Sequence, residues 1–198
     1  MPHLLTVAPT QSAEANTLLN YLFEFLIALV AGLVASILFL YYVLIRWRPK
    51  IKISPFIAYG PTPENHGVNQ YSFKFINKSR HDGYDVQIRI SVLVRIPVQM
   101  GKFNERRLPL RAKLDFLSHI PRYQRDKEHV NTAPHAIIFS CLDDLAPVLE
   151  ADDKVVEIQI ILKHGLTGLS KVFRHEYINS GDVVNGHFKY GNNLTVVK

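Results

Sequence analysis

The chain has 198 residues, 47% of them hydrophobic, and carries 23 Lys and Arg against 17 Asp and Glu, a formal charge of +6. Its single cysteine, Cys141, excludes an intrachain disulfide and a cysteine-ligated zinc site, and suits a reducing compartment. The charge is unevenly placed: every Lys and Arg lies at or beyond Arg46.

Residues 1–17 are polar and unpatterned, and read as a loose N-terminal tail. Residues 18–45 read as a transmembrane helix. Within them, Leu26 to Ile45 (LIALVAGLVASILFLYYVLI) is a run of twenty residues without a charge. At 1.5 Å per residue, twenty residues reach roughly 30 Å, the thickness of a bilayer's hydrocarbon core. A buried helix of a soluble protein rarely keeps so long an apolar run. A cleaved signal peptide needs a cationic start and a shorter apolar core, and residues 1–25 hold no Lys or Arg. An uncleaved anchor is therefore expected.

Along this helix Asn20, Glu24, Ala28, Gly32 and Ser36 fall four apart on one slowly drifting stripe. Small residues at that spacing let helix backbones approach closely, which marks a packing or pore face in a cluster of copies. The other reading keeps Glu24 solvated at headgroup level and treats the small residues as ordinary membrane-helix composition.

Residues 46–54 read as a basic juxtamembrane linker. Arg46, Trp47, Arg48, Lys50 and Lys52 combine an interfacial aromatic with cations, the chemistry of lipid-headgroup contact. The positive-inside rule puts everything after them in the cytoplasm and the N-terminus outside the cell, across an inner membrane. Residues 46–198 hold 23 basic against 15 acidic side chains, a formal +8. Most are interleaved in sign, as on an ordinary solvated surface.

Residues 55–198 read as a β-sandwich. Pro49 to Ser54 alternates and can form a strand. Gly60 to Gly67 is a loop, Tyr71 to Ile76 alternates, and Asn77 to Gly83 is a turn. Val86, Ile88, Ile90, Val92, Val94 and Ile96 then form a strict period-two pattern, expected to end at Pro97. Further strands are expected over Leu108 to Leu117, Ala136 to Phe139, Val155 to Lys163, Lys171 to Ile178 and Val183 to Tyr190. Ser118 to Thr132 is a connection, and Asp143 to Asp153 a loop with a helical turn. Seven to nine short strands separated by turn signals indicate a mostly-β sandwich behind one helix.

No Walker loop, dinucleotide fingerprint, HExxH or GxSxG is present, so no catalytic residue, metal site or cofactor is expected. His164, His175 and His187 match no ligand spacing. Cys141 lacks a neighbouring base. Asp143/Asp144 and Asp152/Asp153 lack the spacing of a calcium loop.

From Tyr71 onward the order of features resembles the cytoplasmic domain of inward-rectifier potassium channels. The residues that carry it are YSFKFINKSRHDGYDVQIRISVLVR, LPL at 108–110, and VVEIQIILKHGLTGLSKVFRHEYINSGDVVNGHFKYG at 155–191. Glu157, Thr167, Gly168, Tyr177, Gly186, His187 and Phe188 fit the family's order of strand starts, turn and strand ends. The resemblance implies an immunoglobulin-like sandwich, tetrameric assembly under the membrane and phosphoinositide binding through juxtamembrane cations. The channel half is missing: one helix, no pore helix and no TVGYG filter leave no material for potassium selectivity.

The layout of one membrane helix and a soluble module is also similar to small bacterial anti-phage effectors of retron and cyclic-oligonucleotide systems. By that analogy the chain is a membrane toxin of antiviral defence, with partners in the lipid bilayer, further copies of itself, and a regulatory protein or nucleoprotein. Direct contact with nucleic acid stays open. The other reading is a membrane-tethered scaffold that recruits a protein or nucleic acid and forms no pore.

Overall fold

A computed structural model describes residues 10–46, 48–61, 67–98, 102–125, 133–151, 153–165 and 168–198. The chain divides into two compact units, Met1–Arg46 and Trp47–Lys198.

The first unit is one helix, α1 (Thr10–Arg46), of 37 residues. It starts well before residue 18, so the second half of the expected loose tail is helical. TQSAEANT contains no Gly or Pro, and a helix already nucleated extends through such residues at little cost. Residues 1–9 lie outside the described residues. Leu19–Ile45 is long and apolar enough to cross a membrane, and none of it is buried.

The second unit holds β1 (Ile51–Ile53), β2 (Ile57–Pro61), β3 (Asn69–Asn77), β4 (Gly83–Val98), β5 (Lys102–Leu110), β6 (Phe116–Ile120) and β7 (Ala136–Cys141). The short helix α2 (Ala146–Leu149) follows, then β8 (Lys154–His164), β9 (Ser170–Tyr177), β10 (Val183–Asn185), β11 (His187–Phe188) and β12 (Val196–Val197). These build two five-stranded sheets and a small β11–β12 ladder. In the first sheet β3 is central. β7 pairs with one side of it, β1 and β2 share the other, and β10 runs parallel to β2. In the second sheet β4 is central. β5 and β6 share one side, β8 takes the other, and β9 lies outside β8.

The apolar phase of each sheet closes on one core. Phe73, Phe75 and Phe139 from the first sheet meet Val86, Ile88, Ile90, Val156, Ile158 and Ile160 from the second. The Phe73 ring lies 5.5 Å from that of Phe139 and 5.7 Å from that of Tyr177. Tyr177, on β9, sends its hydroxyl across to the Ser54 carbonyl at 2.7 Å. The aromatic thus fills the core while its polar end is satisfied at the β1–β2 break. Burial pushes the phenol's pKa well up, so it stays a donor.

Several strand boundaries differ from the expected ones. The strand expected over Pro49 to Ser54, within the basic segment 46–54, is the shorter Ile51–Ile53, which pairs with Asn77, Ile76 and Phe75. β4 runs past Pro97 to Val98, paired with β5. Beyond Val94 it has no β8 neighbour, and the Arg95 N–H turns to that side to reach the Asp153 carbonyl at 2.9 Å. Pro97 points the same way, where a missing donor leaves the ladder intact.

The expected strand over Leu108 to Leu117 is split into β5 and β6. Between them Arg111 to Lys113 leaves the second sheet and bonds to the β7 edge of the first, with Lys113 N donating to Ser140 O at 2.8 Å. The Arg111 guanidinium grips Asp143 at 2.7 and 2.8 Å, fixing the crossing.

The last expected strand, Val183 to Tyr190, breaks at Gly186. Its φ is +138°, and a Cβ there would lie 2.1 Å from the Val197 carbonyl oxygen. Only glycine combines that conformation with so close a backbone. Gly186→Ala is expected to destabilise the unit by more than about 2 kcal/mol, since the obstacle is backbone. Tyr177→Phe strands a buried carbonyl and is expected to cost about 1–2 kcal/mol. Denaturant midpoints of the full chain in detergent, followed by circular dichroism, check both.

Candidate functional site

The stripe on α1 is exposed at each of its positions, Asn20, Glu24, Ala28, Gly32 and Ser36. A Cβ added at Gly32 would meet nothing within 4 Å. The Ser36 hydroxyl donates to the Gly32 carbonyl at 2.8 Å, one turn back. Its proton is spent inside the helix, so Ser36 offers a neighbouring helix small size and a lone pair rather than a donor. Gly32 is the position where a helix–helix contact and the isolated helix make opposite demands. Leucine suits a lone helix better and blocks close approach.

The basic segment is divided between the units. Arg46 ends α1, its side chain undescribed, and Trp47 lies outside the described residues. Arg48, Lys50 and Lys52 are exposed, while Pro49 is buried and Ile51 and Ile53 pack against the core. The alternation that makes β1 a half-buried strand thus turns the cations to one side. Lys50 is fixed through its backbone: its N–H donates to Ser79 Oγ, and its carbonyl accepts from Lys78 N, both at 2.8 Å. Two headgroup candidates, Lys50 and Lys52, therefore stand on ordered backbone.

Residues that pattern reading missed lie on the outer face of the first sheet. There Ser72, Lys74 and Ile76, the phase of β3 opposite Phe73 and Phe75, are buried too. The covering material is the C-terminal stretch. Lys74 Nζ donates to the Lys189 carbonyl, His135 Nε2 meets Asn192 Oδ1, and Ser54 Oγ donates to the Leu194 carbonyl. Lys74 is 1% exposed and has no carboxylate within salt-bridge reach among the described residues. Burial pulls its pKa down to about 8. The sequence signal was GHFKY at 186–190, whose apolar residue must cover something.

A groove of about 1030 Å³ opens beside this cover. Lys113, Leu114, Pro134, Phe188 and Tyr190 are among the residues that line it. Ser72 and Ser140, whose hydroxyls lie 3.1 Å apart, also line it. No Asp or Glu is among the lining residues described.

The outer face of the second sheet carries a polar cluster centred on Glu157. Glu157, 1% exposed, accepts from Arg107 Nε at 3.2 Å and Gln159 Nε2 at 2.7 Å, with Arg174 Nε at 3.9 Å. The carboxylate is compensated on the spot, and the arrangement is structural.

The three histidines do not converge. His164 ends β8 with its ring 5.2 Å from that of His81, His175 stacks edge-on to Tyr177 at 4.6 Å, and His187 lies on β11 at the groove. Desolvation lowers the pKa of both His164 and His175. Among the described residues no group of three or more His, Cys, Asp or Glu is placed to hold a metal ion. Cys141 faces the core, and burial pushes its thiol up to about 11. Asp143 and Asp144 serve as local acceptors, for Arg111 and for Ala146 N; Asp152 lies outside the described residues.

The Lys74 ammonium makes a signed prediction. The folded pKa lies below the unfolded one, so below about pH 8 the buried charge carries its full penalty. Between about pH 8 and the ordinary lysine value of 10.5 the unfolded chain holds a proton the folded one has shed, and this group's contribution to stability rises with pH. Urea midpoints of the full chain in detergent should increase between pH 8 and about 9, before ionisation of the unfolded chain's Cys141 opposes the rise. Lys74→Met should raise the midpoint at pH 7 and flatten that rise.

No protein-family model and no curated protein matches this chain.

Proposed function

We propose that the chain is a single-pass membrane effector whose β-sandwich, on the cytoplasmic side of an inner membrane, governs clustering of the helix and permeabilisation of the bilayer, as an anti-phage device does. The observation that carries this reading is the pairing of a fully exposed apolar helix, Leu19–Ile45, with a β unit that closes its own core. A helix of that composition needs lipid or copies of itself. The cations that follow it favour the side on which the β unit is kept. Clustering raises the local concentration of the Asn20, Glu24, Ala28, Gly32 and Ser36 stripe without any new chemistry. An immunoglobulin-like, self-associating sandwich, lipid-headgroup binding by residues 46–52 and a regulatory protein or nucleoprotein partner belong to this proposal.

The groove favours a second reading, in which the helix is only a tether and the β unit recruits a partner. The two part at the anchor. On overexpression, a membrane-potential dye should report depolarisation for the wild type. Gly32→Leu should reduce it several-fold at equal membrane abundance, because a Cβ there meets nothing within 4 Å and the larger side chain blocks close approach of a second helix. Replacement of residues 18–45 by an unrelated spanning helix should abolish it. Cells that stay polarised with the wild type, or a replaced anchor with full activity, would overturn the effector reading and leave the tether.

A further inference from the structure

β7 is the edge of the first sheet, paired with β3 from Ala136↔Ile76 to Cys141↔Tyr71. Backbone groups along a strand point alternately to its two sides. Three bonds identify the residues that point away from β3: Ala136 N donates to Ala133 O at 2.9 Å, and Lys113 N to Ser140 O and Leu142 N to Arg111 O, both at 2.8 Å. Ile138 stands midway in this set, so its N–H and C=O face the same side. The Ala136 carbonyl and the Ser140 N–H do likewise. No strand pairs with them there among the described residues.

The chain's own Arg111 to Lys113 shows what this edge accepts, since it pairs there antiparallel through an Ala112↔Cys141 bridge. The chain then turns off, and four backbone groups in a row are left over. They lie at the groove, between the Lys113 bond to Ser140 at one end and the Ala136 bond to Ala133 at the other. The edge is also unguarded. Natural edge strands carry charge or proline against pairing. β7 reads AIIFSC, with neither. β9, the edge of the other sheet, carries Lys171, Arg174 and Glu176.

We propose that this slot binds a short extended peptide segment of a partner protein, which adds as an antiparallel strand to Ile138 in line with Arg111 to Lys113. Alternating N–H and C=O groups at strand spacing are complemented only by another backbone. Leu114 and Phe188 favour apolar side chains on the segment. The slot is concave and bounded at both ends, which suits a single strand better than the sheet edge of a second copy. The proposal goes beyond the membrane reading and stands whether α1 clusters or only anchors.

The probe is the peptide acetyl-VTVEV-amide, with an analogue N-methylated at alternate amides, added to the isotope-labelled full chain in micelles. Amide exchange is followed by NMR. The peptide should slow exchange at Ile138 and Ser140 at least tenfold, and the analogue should not. Ile138→Pro removes a donor that lies outside the β3 ladder, so the fold should persist while peptide affinity falls at least tenfold. Ile138→Lys, an edge guard, should weaken binding similarly. Absence of protection at millimolar peptide would overturn the proposal. So would equal binding by the proline variant. Protection of the same amides without peptide, growing with protein concentration, would assign the edge to a second copy and overturn it too.

Discussion

Everything in the β unit depends on one contact: the aliphatic face of β4 and β8 laid against the phenyl rings of β3 and β7. Val86, Ile88, Ile90, Val156, Ile158 and Ile160 are all but fully buried there, and so are Phe73, Phe75 and Phe139. At roughly 25 cal/mol for each Å² of apolar surface removed from water, such a face is the main favourable term in a unit of this size. The same contact sets the register, because a slip of one residue would turn every one of those side chains to the outside. Local departures are tolerated where the contact does not reach. The bulge at Asp85, whose φ is +49°, precedes the first core residue of β4, and the ribbon beyond Val94 follows the last.

The polar groups that burial catches are each answered differently. Tyr177 reaches a carbonyl across the core, and Glu157 is met by arginine and glutamine on its own face. Lys74 has a carbonyl but, among the described residues, no counter-charge. It lies under the C-terminal stretch, which is held by short ladders: β10 pairs over three residues and β11 with β12 over two. A cover of few ladder bonds above a buried cation sits at the less stable end of the unit. The groove lies beside this cover, and β7, with which no further strand pairs at Ile138 among the described residues, also lines it. A ligand there would touch a rigid sheet and a loosely laddered cover together.

The helix obeys a different constraint. It satisfies its own backbone and buries nothing against its own unit, so its free energy is set by the surrounding medium. That is why the stripe at Asn20, Glu24, Ala28, Gly32 and Ser36 carries a functional reading that no internal contact supplies. Ser36 shows the limit of composition as a guide, since its hydroxyl is already committed to Gly32.

The order of residues alone determined the helix, the mostly-β class and the strands whose alternation is strict. Leu26 to Ile45 is an uncharged run of membrane-spanning length, and Tyr71 to Ile76, Val86 to Val92 and Val155 to Lys163 each carry a period that one structure satisfies and others do not. The cluster of cations after the helix was legible from position, although β1 takes Lys52 into a sheet. Tertiary structure decided what depends on a second segment. The crossing at Arg111 needs Asp143 and the β7 edge. The break at Gly186 needs Val197. The burial of Lys74 needs Lys189, more than a hundred residues away in sequence. The groove needs all three of β7, Leu114 and Phe188. Periodicity reports which way a side chain turns within its own element, whereas these features depend on what a distant part of the chain brings to meet it.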